Sequence, residues 1–426
     1  MMTNFFQERQ GTLHVEDVAL PDIAAQFGTP CYVYSRAALT AAADEFRAAL
    51  NGVVDLTCYA VKANGNLAIL NLFARLGLGF DIVSGGELAR VLAAGGDPAK
   101  TVFSGVGKTV AEMEAALTAG ILCFNVESAA ELSVLAATAA RLGKVAPVSF
   151  RVNPDVDAKT HPHISTGLKD NKFGVPFDET RALYRQAAAT PSLRVVGIDM
   201  HIGSQITELS PYREAAEKLL SLVQMLEADG IALEHMDIGG GLGVCYRDEQ
   251  PIALTDFAQM LREVFAGRSE RLLVEPGRRL VASAGVLLTR ILYLKSGASK
   301  NFAIVDAAMT ELMRPALYEA WHPVNAVTRR AVMTNGGAAA DSEKCWDIVG
   351  PVCESGDFLA QARPLVLREG DLLAIGVAGA YGMAMSSNYN ARPRACEVMV
   401  DGNEITMIRA REEVKKLWEA ERILSK

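Results

Sequence analysis

Between residue 36 and about residue 280 the chain alternates eight times between a short apolar run and a longer segment whose apolar residues fall at helical spacing. Helices are expected at 41–50, 67–76, 86–94, 110–118, 128–142, 177–188, 211–229 and 255–265. The runs lie at 56–61, 80–84, 101–104, 121–126, 147–152, 195–201, 235–238 and 272–275. Each run is apolar almost throughout, which suits parallel strands covered by helices. Eight such strands close into a TIM-like (β/α)8 barrel. A doubly wound open sheet is the competing arrangement. It is disfavoured because the eight units end cleanly, and because the glycine-rich turn at 239–243 comes late rather than after the first strand.

Beyond Arg278 the texture changes. Runs at 285–295, 301–306, 330–334, 344–349, 371–377, 396–400 and 404–408 read as strands with few helices between them, and Asp401-Gly402 is a hairpin signal. Two earlier runs, 12–18 and 31–34, flank Gly28-Thr29-Pro30 and are too few to stand alone, so they are expected to join this later sheet. The expected α/β organisation is a barrel over 36–280 and an all-β, sandwich- or barrel-like domain made of 1–35 and 281–426. A loop is expected at 336–340 and a charged amphipathic helix at 411–424. The chain's 426 residues exceed one ordinary core, consistent with two domains.

The net charge of −8, with no basic block, argues against nucleic acid and anionic membrane as partners. No run is long enough to span a bilayer, and Met1–Gln10 carries no secretory pattern. Seven cysteines without CxxC pairs fit a reducing cytoplasm and argue against a disulfide scaffold or a metal site.

A barrel of this type collects its chemistry where strands end. The residues expected there are Lys62, Asp81, Ser104, Arg151 with Asn153, His201, Gly239-Gly240-Gly241 and Glu275. Lys62 reads as a desolvated amine able to attack an aldehyde, or as a rim lysine reaching for water. Gly239–Gly243 can converge backbone N–H groups on a phosphate, or form a plain tight turn. Glu275-Pro276-Gly277-Arg278 supplies a carboxylate able to hold a ring nitrogen protonated, or a rim ion pair. His201 is a platform for a ring or a hydrogen-bonded rim histidine. The irregular excursion from His161 to Pro176 is expected to cover or line the site. In the second domain, Cys353 and Glu354 lie in a Gly/Pro-bounded loop, which suits proton donation and amine recognition, although a buried inert thiol is the common case. Arg314–Tyr318 and Gly379–Gly382 look like ordinary loops.

Taken together, Tyr59-Ala60-Val61-Lys62-Ala63-Asn64, His201-Ile202-Gly203-Ser204-Gln205, the 239–243 glycines, Glu275-Pro276-Gly277-Arg278, Cys353-Glu354-Ser355-Gly356-Asp357 and Gly379-Ala380-Tyr381 resemble the motifs of diaminopimelate decarboxylases. That family belongs to the alanine-racemase-like (fold-type III) pyridoxal-phosphate enzymes. The resemblance runs in order from Gly28-Thr29-Pro30 to Ser387-Asn388-Tyr389-Asn390. It implies decarboxylation of meso-2,6-diaminopimelate to L-lysine and carbon dioxide, the last step of lysine biosynthesis, by a homodimer with shared active sites. By this resemblance Lys62 would hold the cofactor's aldehyde, His201 would stack on its ring, and Glu275 would pair with the ring nitrogen. Gly241 and the backbone around Gly277 would hold the phosphate with Ser204 near it, and Tyr381 would touch both the cofactor and the substrate. Arg278, Arg314 and Tyr318 would bind the substrate's distal carboxylate, and Glu354 its distal amine. Cys353 of the partner subunit would be the acid, with Lys62 the alternative. A relative acting on ornithine, arginine or carboxynorspermidine would leave both arginines without a partner. A racemase is disfavoured by Glu275, and a non-catalytic binding homologue by the intact Lys62.

Overall fold

In the computed structural model, which describes residues 5–157, 171–329 and 343–424, each of the eight apolar runs overlaps a strand. The strands are Leu56–Ala60, Gly79–Ile82, Thr101–Phe103, Cys123–Val126, Ala146–Asn153, Leu193–Met200, His235–Asp237 and Arg271–Val274. Neighbours pair in parallel all the way round. The eighth strand returns to the first through Leu273↔Leu56 and Val274↔Thr57, which closes the barrel. A two-residue strand, Val175–Pro176, is added outside the ring beside the fifth strand.

Local chemistry aims the helices. Ser84 and Ser128 each accept from the N–H three residues on, and Thr109 with Glu112 forms a reciprocal capping box. Each cap satisfies an orphan donor at the turn that follows a strand, a contribution of about 1 kcal/mol. The barrel interior changes character along the strands. Cys58, Val102, Cys123, Val196 and Leu273 form a buried apolar cluster. Nearer the C-terminal ends come Asp81, Asn125, Arg151, Asp199, Asp237 and Glu275, all buried. His235 is buried beside the apolar cluster, its Nε2 3.7 Å from Cys123 Sγ, and only a glycine can face it: a Cβ at Gly197 would sit 2.2 Å from that nitrogen.

The chain divides into two compact units. One comprises Ala42–Val244 and Glu249–Leu280; the other comprises Met1–Ala41, Cys245–Asp248 and Val281–Lys426. In the second unit the main sheet runs in the order Phe358–Leu365, Lys344–Val349, Asn301–Val305, Gly285–Ser296, Cys31–Ser35, Cys396–Asp401 and Glu404–Arg409. Leu372–Ile375 pairs with Gly285–Ser296 and with Val324–Ala326. Cys31–Ser35 therefore lies within the sheet, as expected of the N-terminal contribution.

The other N-terminal run behaves differently. Thr12–Val15 pairs with Phe6–Arg9 and Val18–Ala19 in a separate three-stranded sheet. Tight turns at Gln10-Gly11 and Glu16-Asp17 give it local partners on both sides. Leu13 and Val15 still pack into the same core as Val33, Val286 and Val398. The helix expected at 411–424 is absent; a single 3-10 turn, Val414–Leu417, is found there. Ile423 is 99% and Leu424 92% exposed, so the apolar stripe has nothing to pack on, and an isolated helix of that length is marginal in water. The expected strand 330–334, the loop 336–340 and the 161–170 part of the long excursion lie outside the described residues.

Candidate active site

On leaving the first strand the chain makes one 3-10 turn, Val61–Ala63, in which Val61 and Ala63 are buried and Lys62 is not. The Lys62 Nζ donates to Asp81 Oδ2 at 2.5 Å. Its side chain is 36% exposed, whereas that of Asp81, from the second strand, is fully buried.

Three more acids follow from the last three strands. Asp199, Asp237 and Glu275 each bring a carboxylate oxygen within 4.8 Å of the others, and all three residues are buried. Asp237 Oδ1 accepts the Gly239 N–H at 2.8 Å. Among the described residues, no N–H or hydroxyl group reaches the buried Asp199 Oδ1, Asp237 Oδ2 and Glu275 Oε1. Burial, reinforced by Asp237, Asp81 and Asp199 and opposed by Lys62, holds the Glu275 carboxyl well above its ordinary range. Burial also pushes Asp237 up to about 7 and raises Asp199, the latter aided by Asp237. A carboxyl cluster in this state retains protons at neutral pH and would be relieved by a cation or an N–H donor brought against it.

His201 follows the sixth strand, and its Nδ1 accepts the Gly240 N–H at 3.2 Å, which leaves the ring proton on Nε2. Burial, then Arg151 and Lys62, push its pKa well down, so the imidazole is neutral.

The three glycines are dictated by space. A Cβ would lie 2.2 Å from Met200 O at Gly239, 2.1 Å from Glu275 O at Gly240 and 2.3 Å from Gly203 O at Gly241. The Glu275 N–H donates to Gly239 O, the Ile206 N–H to Gly241 O, and the Tyr212 hydroxyl to Gly240 O. These bonds tie the glycine turn between the exits of the sixth and eighth strands. At Gly277 a Cβ would come within 3.1 Å of both Ala60 and Ala63, beside the Lys62 turn. Arg278 is buried, and its Nη2 donates to Ser204 Oγ at 2.9 Å. The barrel thus brings Lys62, His201, Ser204, Gly241, Glu275, Gly277 and Arg278 to one end.

The β unit carries the remaining expected residues. Cys353 and Glu354 are exposed, not buried. The Cys353 N–H donates to Asn390 Oδ1 at 3.0 Å, and Glu354 Oε1 accepts the Tyr389 hydroxyl at 2.6 Å. Asp357 pins the loop by accepting from the Met309 and Val352 N–H groups. Arg314 is buried and opens a short helix, Arg314–Tyr318, where a loop was expected, with Tyr318 half-buried at its end. Tyr381 has a φ of 55° and sits between Gly379 and Gly382; a Cβ would meet Val281 O at 2.0 Å at the first and the Tyr32 hydroxyl at 2.5 Å at the second.

Two barrel acids beside Glu275, Asp199 and Asp237, are not among the expected site residues. For the two aspartates a signal existed: each is a lone acid inside an apolar strand, Ile198-Asp199-Met200 and Met236-Asp237-Ile238.

A family model, "Pyridoxal-dependent decarboxylase, pyridoxal binding domain", matches residues 36–282. The diaminopimelate decarboxylase of Pseudomonas aeruginosa is 57% identical, over 98% of this chain and 99% of that protein. That of Vibrio cholerae is 54% identical, over 99% of this chain and 100% of that one. Among solved structures, the Helicobacter pylori diaminopimelate decarboxylase complexed with L-lysine is 42% identical with a TM-score of 0.89, covering 94% of this chain and 98% of that chain. The enzyme from M. jannaschii in complex with L-lysine is 35% identical with a TM-score of 0.93, covering 100% of this chain and 99% of that chain.

Proposed function

The chain belongs to the pyridoxal-dependent decarboxylases and among them to the diaminopimelate decarboxylases, and we propose from this how its residues divide the conversion of meso-2,6-diaminopimelate to L-lysine and carbon dioxide. The observation that carries the reading is Glu275: a buried carboxyl oxygen that no N–H or hydroxyl group of the described residues reaches, on the rim that also bears Lys62. The donor set fits pyridoxal phosphate. An amine is available for the aldehyde, a carboxyl for the ring nitrogen, a neutral imidazole for the ring face, and a turn with no room for side chains for the phosphate.

When bound, pyridoxal phosphate supplies an electron sink for the pair left on the α-carbon as carbon dioxide departs. Lys62 holds the aldehyde through its amine. Glu275 would pass its retained proton to the ring nitrogen and, as the carboxylate, keep it there, and this charge would be the main electrostatic contribution to catalysis. His201, neutral, packs on the ring without adding charge to it. Gly241, Gly277 and Ser204 hold the phosphate, with Arg278 beside Ser204, and Tyr381 adds a contact to the cofactor.

Arg278, Arg314 and Tyr318 bind the distal carboxylate, and Glu354 the distal ammonium. The proton that replaces the lost carboxylate comes from the Cys353 thiol, with the Lys62 ammonium the alternative. The exposed Cys353 and Glu354, on a loop pinned from within by Asp357, suit presentation to a second copy in a homodimer. Among the described residues no helix is long and apolar enough to cross a membrane, and we place the enzyme in the cytoplasm.

Chiral analysis of the product from meso-2,6-diaminopimelate in deuterated water tests the reaction. One L-lysine per carbon dioxide, with deuterium at the carbon that lost its carboxylate, is expected. Stereochemical scrambling of the substrate without gas release would point instead to a racemase, and preferential turnover of ornithine or arginine to a different decarboxylase. Subunit sharing is tested separately. Lys62→Ala and Cys353→Ala proteins are each expected to be nearly inactive, and mixing them should restore up to about a quarter of wild-type activity through hybrid dimers with one intact site. No recovery after verified subunit exchange would overturn the sharing.

A further inference from the structure

Arg314 is buried, and its guanidinium is held from two directions. Its Nη1 donates to His322 Nε2 at 2.8 Å. Its Cζ lies 4.4 Å from the centroid of the Tyr246 ring. His322 is fully buried, and its Nδ1 lies 2.9 Å from Gly376 O. A carbonyl can only accept, so Nδ1 carries the ring proton and Nε2 presents its lone pair to Arg314. The His322 ring meets Tyr246 at 5.1 Å with an interplanar angle of 75°. The His322 backbone is fixed as well: its carbonyl accepts from Arg363 Nη2 at 3.1 Å, and the preceding Trp321 ring has the Arg363 guanidinium 4.2 Å away.

We propose that His322, together with Tyr246, is a positioning residue for Arg314 and so sets the affinity of the enzyme for the distal carboxylate of its substrate. This rests on the reading that Arg314 binds that carboxylate. A guanidinium recognises a carboxylate through a planar fork, so the orientation of its plane decides whether both N–H···O bonds form. An edge contact to an imidazole and a face contact to a phenol together fix a plane. The side-chain entropy of arginine is then lost on folding rather than on binding, which raises affinity without adding a contact to the substrate. The choice of acceptor matters too. A glutamate in place of His322 would hold the guanidinium but neutralise it and compete with the incoming carboxylate. A neutral imidazole orients the charge and leaves it whole.

The test compares two inhibitors of the holoenzyme. L-lysine retains the distal amino-acid end, whereas pentane-1,5-diamine has two amines and no carboxylate. For His322→Leu, the KM for meso-2,6-diaminopimelate and the inhibition constant of lysine should both rise about 10- to 100-fold, the effect of losing one hydrogen bond to a charged group. Turnover at saturation should stay within about threefold, since the interaction is shared by ground and transition states. Inhibition by the diamine should not change. His322→Gln, which keeps an acceptor, should recover most of the affinity, and Tyr246→Leu should resemble His322→Leu. If His322→Leu fails to fold, the Gln and Tyr246 variants carry the comparison. Parallel weakening of lysine and diamine would mean general damage and would overturn the proposal. An unchanged lysine constant in His322→Leu, or in Tyr246→Leu where that variant carries the comparison, would overturn it too. Arg314→Met separates the two levels. If it weakens lysine while the His322 and Tyr246 variants do not, only the positioning role fails. If it also leaves lysine untouched, the assignment of Arg314 fails and the inference falls with it.

Discussion

Lys62→Ala should lower turnover by about a thousandfold or more, the scale seen when a covalent nucleophile is removed, and borohydride should no longer fix a pyridoxyl group to the chain. The structure explains why one lysine should carry so much. Lys108 also has a buried side chain, but its three donors are engaged by Gly105 O, Asn125 O and Glu131. Lys62 instead leaves a strand end on a single tight turn and projects its amine to the rim, 36% exposed. The substitution has a second consequence. It takes the ammonium away from Asp81, a fully buried carboxylate in the same barrel as Asp237 and Glu275. Removing one partner of a fully buried pair costs about 3–5 kcal/mol, and partial exposure of Lys62 reduces that to about 1–3 kcal/mol. Adding Asp81→Ala to Lys62→Ala should therefore restore part of the lost melting temperature and none of the activity. Mass spectrometry of the reduced wild-type holoprotein is the deciding measurement: a pyridoxyl group on any other lysine would overturn the assignment.

The parts of this molecule legible in its sequence are those where one physical requirement dominates. Parallel strands buried on both faces must be apolar throughout, so all eight announce themselves, and their ends mark the rim. The β unit is harder to read, because its edge strands face water. Phe6–Arg9 is three-quarters polar, and Phe358–Leu365, at the edge of the sheet, contains Pro364. A proline is tolerated only where a strand has a free side. The 411–424 segment shows the opposite failure. Its apolar spacing suits a helix, yet spacing creates only the possibility of burial, and Val414 and Trp418 remain 52% exposed. At the site, single residues with strong chemistry are legible, Asp81 among them, but the pairing of Asp199 and Asp237 with Glu275 and of His322 with Arg314 is not. Asp237 lies 38 residues from Glu275 in the sequence, and nothing short of barrel closure brings their carboxyl groups together.

Glu275→Gln is the second large expected loss. The amide matches the carboxylate in shape, so cofactor loading should fall only a few-fold, yet it cannot become negative, and turnover should drop about 100- to 1000-fold, as when one preorganised electrostatic partner is removed. Wild-type turnover in this variant would overturn the role given to Glu275. The carboxyl cluster makes an independent prediction for the cofactor-free protein. Glu275 and Asp237 have ordinary values of 4.5 and 3.8, and in the fold the first is raised well above its value and the second to about 7. Between about pH 4 and 7 these carboxyls therefore keep protons in the native state that they have released in the unfolded chain, and their contribution to stability falls as pH rises through that window. The stabilisation is fully present below the unfolded values and is lost once pH passes the folded value of Asp237, near 7. Asp237→Asn cannot lose a proton and removes part of this slope. Denaturant unfolding should find the variant more stable than wild type at pH 8, by on the order of a few kcal/mol, and no more stable than wild type at pH 4. Parallel stability curves for the two proteins across that range would show that the three acids do not share buried protons.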